Sequence, residues 1–399
     1  MLVPLTNVPR NYDWGSREAI ARLQGRPPAD APEAELWFGD HPGAPAVVAD
    51  GSNRTLDAWI ADEGRGRGIF EPLPFLLKLL AADSPLSIQA HPTLEQARAG
   101  YEREEAAAVP RDAAHRNYRD ANHKPEVMVA IDGDFEALAG FRPVAELVEL
   151  LDALAVDDPH VRRLRGELDG DRGRVGEARS AIAAFVGALL TGEVGGAAAL
   201  IAATASADAP RFRDDFAALR RIEEAYPGDP GVVVALLMNR IVLAEGEALF
   251  VPAGVPHAYL RGLGVEIMAA SDNVLRGGLT RKHVDVPELL SVLDASPGPV
   301  ALLIPMVEAP GVDVFAPPVS DFSLVRVRRS DAADGETPVE PLGAMIALAT
   351  RGRPTIVGST GSLTLAPGEA CLISPDEATV RVAGTGEVFL ARSGRAVSG

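Results

Sequence analysis

Apolar and polar positions change their period twice along the chain. Up to about residue 142 the apolar residues come in short runs broken by Pro and Gly, as in PFLLKLL, LSIQAH and EVMVAI, which predicts strands. From Val144 to about Tyr226 they recur every three or four positions, in VAELVELLDALA, RSAIAAFVGALL and DDFAALRRIEEAY. That spacing predicts helices, because 3.6 residues per turn returns such positions to one face. After PGDPG, the runs VVVALLMNRIVL, ALFVP, AYLRG and VEIMAA predict strands again. From about Val300 the alternation of SLVRVRRS and the run GSLTLAPGEACLI add more. The expected fold is mainly β with a helical insertion at 143–227.

A repeat lies within the β-rich part. Residues 244–271 align without a gap to 366–393, matching Gly246, Glu247 and Ala248 to Gly368, Glu369 and Ala370, and Gly262 and Gly264 to Gly384 and Gly386. Two copies of one β-unit are expected. They differ where chemistry is possible, since His257 is replaced by Thr379 and Glu266 by Val388. The first copy is therefore the candidate for the site.

Composition narrows the class. At 399 residues, 47% hydrophobic and 24% charged, the chain is long enough for two or three packed units. A formal net charge of −18 argues against nucleic acid and anionic membranes as partners, so an anionic ligand needs a local basic pocket. A single cysteine, Cys371, excludes an internal disulfide, and the apolar run LPFLLKLLAA is too short to span a bilayer. A cytoplasmic protein is expected. Of 38 cationic side chains only three are lysines, Lys78, Lys124 and Lys282. Where arginine serves for surface charge, the remaining lysines mark places that need a compact, tunable ammonium.

Gln89 and His91 are two apart on an expected strand and should share a face. Glu126 opens another strand, and His257 follows the turn PAGVP. Two imidazoles, one carboxylate and one amide form a donor set that suits one Zn²⁺ or a similar divalent ion. Only one donor is anionic, so the ion would keep positive charge and act as a Lewis acid.

The segment from Gly246 to His257 resembles the second signature of the cupin β-barrel superfamily, with Arg261 where Asn is usual. Longer stretches narrow the resemblance: PFLLKLL with SPLSIQAHP, YRDANHKPE, and VPAGVPHAYLRGLGVEIMAASDNVLRGGLTRKHVD are similar to type I mannose-6-phosphate isomerases. The resemblance implies two cupin-type, jelly-roll-like β-barrels plus an α-helical domain. Residues 1–142 and 228–299 would form a discontinuous catalytic domain, and 300–399 a cupin-like domain without metal ligands. It implies zinc held by Gln89, His91, Glu126 and His257, and interconversion of mannose 6-phosphate and fructose 6-phosphate. Moving a carbonyl between C1 and C2 requires a proton carrier and stabilisation of an enediolate-like charge. Lys124 and Glu266 are the expected carriers and Arg276 the expected charge stabiliser. Ser87, Arg276 and Lys282 match family positions around the sugar phosphate, and Lys78, Tyr259 and Asp272 complete the expected substrate-binding set. The expected partner is a small sugar phosphate, with the chain a monomer or weak homo-oligomer. An iron dioxygenase using His91, Glu126 and His257, or a non-catalytic sugar-phosphate binder, are the alternatives.

Overall fold

The structure, a computed structural model, describes residues 1–170, 175–330 and 335–394. Among them are three sheets and a set of helices concentrated between Val144 and Leu237. One sheet of nine strands is organised by the long strand His257–Ala269. Its first part pairs with Gln89–Ala90 and Phe135–Phe141, and its second with Phe75–Ala82 and Glu126–Ala130. The glycines in AYLRGLGVEIM were expected to separate two strands. Instead the strand runs through them, with a register irregularity between Tyr259 and Arg261 and Gly262 at φ 130°. A side chain is unwelcome there, since a Cβ on Gly262 would lie 2.7 Å from Phe135 and one on Gly264 2.3 Å from Met128. Glycine lets one strand change partners without ending.

A second sheet of eight strands runs from Met306–Ala309 at one edge to Val47–Val48 at the other, and a four-stranded sheet joins Thr337–Val339 to Ser362–Thr364. The strand Leu2–Thr6 belongs to the eight-stranded sheet, where Leu5 faces Ala370 across the ladder. One apolar core is shared by the two larger sheets, drawing Leu77, Leu79, Val127, Val265 and Ile267 from one and Leu324, Ile346, Leu372 and Phe389 from the other.

The repeat is visible in the fold. Ala248–Val251 and Ala370–Ile373 are equivalent strands, and each is preceded by the same turn. Gly246 and Gly368 take φ of 88° and 81°, and the carboxylates of Glu247 and Glu369 accept the N–H of Ala244 and Ala366 at 2.9 and 2.8 Å. Val388, the counterpart of Glu266, is fully buried in an apolar cluster.

The helical block holds from Val144–Leu154 to Arg213–Ala225, but the run VVVALL is also helical, over Gly231–Leu237. Every residue of that helix is buried, so its apolar run carries no face pattern to separate helix from strand. It packs chiefly on the helices Val175–Leu190, Ala197–Ala203 and Arg213–Ala225, in a core that also takes in Leu138, Ala258 and Leu260 of the nine-stranded sheet. No helix among the described residues is long and apolar enough to cross a membrane.

Candidate metal centre and active site

Strand alternation builds the site. In Phe75–Ala82 the side chains of Leu77, Leu79 and Ala81 enter the core shared by the two sheets, which leaves Lys78 and Leu80 on the opposite face. The same alternation separates Val127 and Val129 from Glu126, and Val265 and Ile267 from Glu266. Register then sets Glu266 opposite Lys78 and Met268 opposite Glu126. The polar face closes around a cavity of about 60 Å³ lined by Lys78, Ser87, Gln89, Lys124, Glu126, His257, Tyr259 and Glu266, among others.

At one end three buried groups turn acceptors toward one another. His91 donates its Nδ1–H to the Asn273 carbonyl at 2.8 Å, which puts the lone pair on Nε2. That Nε2 is buried without a hydrogen-bond partner and lies 3.3 Å from Glu126 Oε1. His257 donates Nδ1–H to the Val255 carbonyl at 3.2 Å, and its Nε2 lies 3.2 Å from Glu126 Oε2. Burial, helped by the charge of Lys124, pushes the His91 imidazole down to about 4, so it is neutral at pH 7. Burial works against the charge of Glu126, but the neighbouring Lys124 ammonium opposes it, and the carboxyl is held well below the usual range. Ligand atoms of His91, Glu126 and His257 all lie within 4.8 Å of one another. Lone pairs pointed at a carboxylate repel unless a cation stands between them, so this donor set fits a divalent metal. Gln89 stands opposite His257 in the ladder; its amide nitrogen is 3.3 Å from Ser87 Oγ, so its carbonyl oxygen remains available as a ligand atom. The strand carrying Gln89 is only two residues long, and His91 lies just beyond it.

At the other end, Lys78 forms a buried ion pair with Glu266 at 2.8 Å and a longer one with Glu35 at 3.5 Å, over the ring of Trp37. Burial opposes the Lys78 charge, yet Glu266, Glu35 and Glu126 hold it above the usual lysine range. Burial raises the Glu266 carboxyl, and Lys78 offsets part of that rise. Lys124 Nζ lies 3.0 Å from Glu126 Oε1, and the Tyr259 hydroxyl donates to Glu126 Oε2 at 3.3 Å. Burial also raises the Tyr259 phenol, keeping it a donor.

Arg276 pairs with Gln89 in the ladder, and Lys282 lies beside Arg276 at the exposed side of the site. Burial and a neighbouring guanidinium lower both. Asp272 is not in the cavity wall; it faces His41 Nε2 at 3.6 Å. In the Gly-rich backbone after Arg276, Asp229 accepts the N–H groups of Leu279 and Thr280 at 3.0 and 3.1 Å. Those amides are thus already occupied, while the side chains of Arg276 and Lys282 are not paired with a carboxylate among the described residues. Sequence reading passed over Asn273, which is fully buried and donates to the carbonyls of Asp120 and Asn122 at 2.8 Å each. It also passed over Glu35, whose only signal was a carboxylate two residues before Trp37 in a short apolar strand.

Comparison with known proteins agrees with this geometry. Residues 2–144 match the catalytic domain of phosphomannose isomerase type I. A mannose-6-phosphate isomerase of Escherichia coli is 36% identical, covering 96% of this chain and 97% of its own, and that of Homo sapiens is 35% identical over 81% of each. A crystal structure of mannose 6-phosphate isomerase bound with zinc and yttrium superposes with a TM-score of 0.84 at 33% identity, covering 99% of this chain and 100% of its own. The apo form from Salmonella typhimurium gives 0.85, again at 33% identity, with 99% of each chain covered. Identity at this level over nearly the whole length places the chain in the type I phosphomannose isomerase family.

Proposed function

We propose that this protein interconverts mannose 6-phosphate and fructose 6-phosphate with one Zn²⁺ held by Gln89, His91, Glu126 and His257. The observation that carries the reading is the convergence of His91 Nε2, His257 Nε2 and both Glu126 oxygens in a buried cluster whose imidazole protons are turned away. When bound, the ion supplies a Lewis acid that draws charge from the carbonyl and hydroxyl oxygens of the substrate. Lys124 and Glu266 move the proton between C1 and C2. A buried carboxyl raised above its ordinary value suits that task, since exchange near neutral pH needs a pKa close to it. Arg276 stabilises the negative charge that develops and, with Ser87 and Lys282, holds the phosphate; Lys78 and Tyr259 line the sugar, and Asp272, outside the cavity wall, contributes only through His41. Lys78 acts there mainly through Glu266, to which it is already bound.

In the same reading the nine-stranded and eight-stranded sheets correspond to two cupin-type barrels. Residues 1–142 and 228–299 form the catalytic domain, except that Leu2–Thr6 and Val47–Val48 join the eight-stranded sheet; 143–227 form the helical insertion, and 300–399 a cupin-like domain lacking ligands. Packing of Gly231–Leu237 on the helices supports moving the second boundary to Met238. A cytoplasmic monomer or weak homo-oligomer fits a chain with one buried cysteine. Family membership speaks against the dioxygenase and the non-catalytic binder.

The test is formation of fructose 6-phosphate from mannose 6-phosphate, followed with a coupled enzyme. Chelation should abolish turnover and Zn²⁺ restore it; absence of turnover in the zinc-loaded protein refutes the proposal.

A further inference from the structure

Arg119, in the segment Asn117–Asp120, was assigned no role by the motif that contains it. The structure fixes that segment against both ends of the loop carrying Arg276 and Lys282. The Arg119 N–H donates to Asn273 Oδ1 at 2.7 Å, three residues before Arg276. Asn117 Nδ2 donates to Asp285 Oδ2 at 2.9 Å, three residues after Lys282. Arg119 is thereby held between the two anchors, close enough for its charge to act on both Arg276 and Lys282.

Arg119 and Lys282 are exposed and Arg276 is half-buried, so these three like charges stand open to an anion arriving from solvent. Among the described residues, no carboxylate pairs with Arg119, Arg276 or Lys282. This is notable in a chain with 56 acidic residues, several of them adjacent. Each nearby carboxylate is committed elsewhere. Asp120 accepts from the Ser271 hydroxyl at 2.9 Å and the Asp272 N–H at 2.8 Å. Asp285 takes Asn117 and the N–H of Glu288 at 3.1 Å, capping the helix Val286–Val292. Asp229 takes backbone amides, and Asp272 faces His41. The neighbourhood spends its negative charge on neutral donors and leaves the cations open, an arrangement that suits a dianion with several acceptor oxygens.

We propose that Arg119 is the third cation of the phosphate pocket, contacting the same phosphate as Arg276 and Lys282, and that it sets the preference for phosphorylated over free hexose. This rests on the phosphate reading given under Proposed function. Two variants of the full-length, metal-loaded protein test it, Arg119→Gln and Arg119→Lys. The readouts are the inhibition constant of inorganic phosphate and the KM for mannose 6-phosphate. Loss of one charge-assisted contact raises both about tenfold or more in Arg119→Gln, and Arg119→Lys recovers part of the loss. Metal content is measured alongside, because a purely structural effect at the Asn273 junction lowers it while a phosphate contact does not. Both constants within about twofold of the parent overturn the proposal, as does a rise that accompanies loss of metal. Arg276→Ala and Lys282→Ala are measured in parallel. If they weaken phosphate and Arg119→Gln does not, this inference alone fails; if none of the three weakens it, the phosphate reading fails with it.

Discussion

Replacing Lys78 with methionine keeps the length of the side chain and removes its charge. Lys78 is 5% exposed, Glu266 2% and Glu35 7%, so the change leaves two buried carboxylates without the cation between them. Breaking a buried pair on one side costs about 3–5 kcal/mol, mostly because the remaining charge is uncompensated. Glu266 limits that cost by taking up a proton. Burial already raises it from an ordinary 4.5, and with Lys78 gone the opposing effect is lost, so it rises further. A folded pKa above the unfolded one means that the folded state binds more protons, so stability falls as pH rises past the unfolded value. Each unit of further rise contributes about 1.4 kcal/mol. The Lys78 contribution itself is constant across this range, since its pKa lies above the usual lysine value throughout. The deficit of Lys78→Met should therefore be smallest near pH 5 and grow toward pH 8, reaching about 3–5 kcal/mol. Adding Glu266→Gln should recover about half of it by removing the stranded charge. Urea denaturation of the metal-free protein at both pH values measures this. A deficit that does not change with pH, or a double variant no more stable than the single one, refutes the reasoning.

Two further outcomes are expected. Asn273→Ala removes side-chain bonds that fix the carbonyl on which His91 Nδ1 depends, and zinc affinity should fall about 10–100-fold in competition with a chromophoric chelator; an unchanged affinity would show that His91 is oriented by other means. Gly264→Val places a Cβ 2.3 Å from Met128 Sδ and 3.0 Å from the Val129 carbonyl, and should lower stability by about 2–3 kcal/mol, whereas Gly166→Ala, in open space on a helix, should be neutral or stabilising in the same denaturation assay.

The candidate metal ligands His91, Glu126 and His257 were more legible in the sequence than the strand boundaries around them. Glu126 opens a strand, as read from EVMVAI, and His257, read as following the turn PAGVP, is the first residue of another, because Pro and Gly punctuation is local and marks where a strand begins. Gly231–Leu237 was misread because a segment buried on all sides has no periodicity to read. The strand Phe75–Ala82 is likewise buried along its whole length, so its alternation emerges only once a second sheet covers one face and the cavity occupies the other. Lys78 alone betrayed which face was which. Partners such as Glu35 and Asn273 were illegible because their importance lies in long-range register, 43 and 182 residues from the groups they touch. The bias toward arginine pointed to Lys78, Lys124 and Lys282, and two of the three lie in the cavity wall. It could not point to Arg119, which is one arginine among many.

The pairing of Leu2–Thr6 with Ala370–Ile373 has a consequence for how the chain is made. Leu5 faces Ala370, so the strand near the beginning waits for a partner 365 residues further on. At ordinary elongation rates of 5–20 residues per second, that interval is roughly 20–70 seconds. During it the segment LVPLT has no neighbour on that side, and it carries Pro4, which lacks an N–H and makes the strand a poor template for another chain. The eight-stranded sheet thus cannot close on this side until Ala370–Ile373 has been made, and the edge of Leu2–Thr6 stays open to misassembly until then.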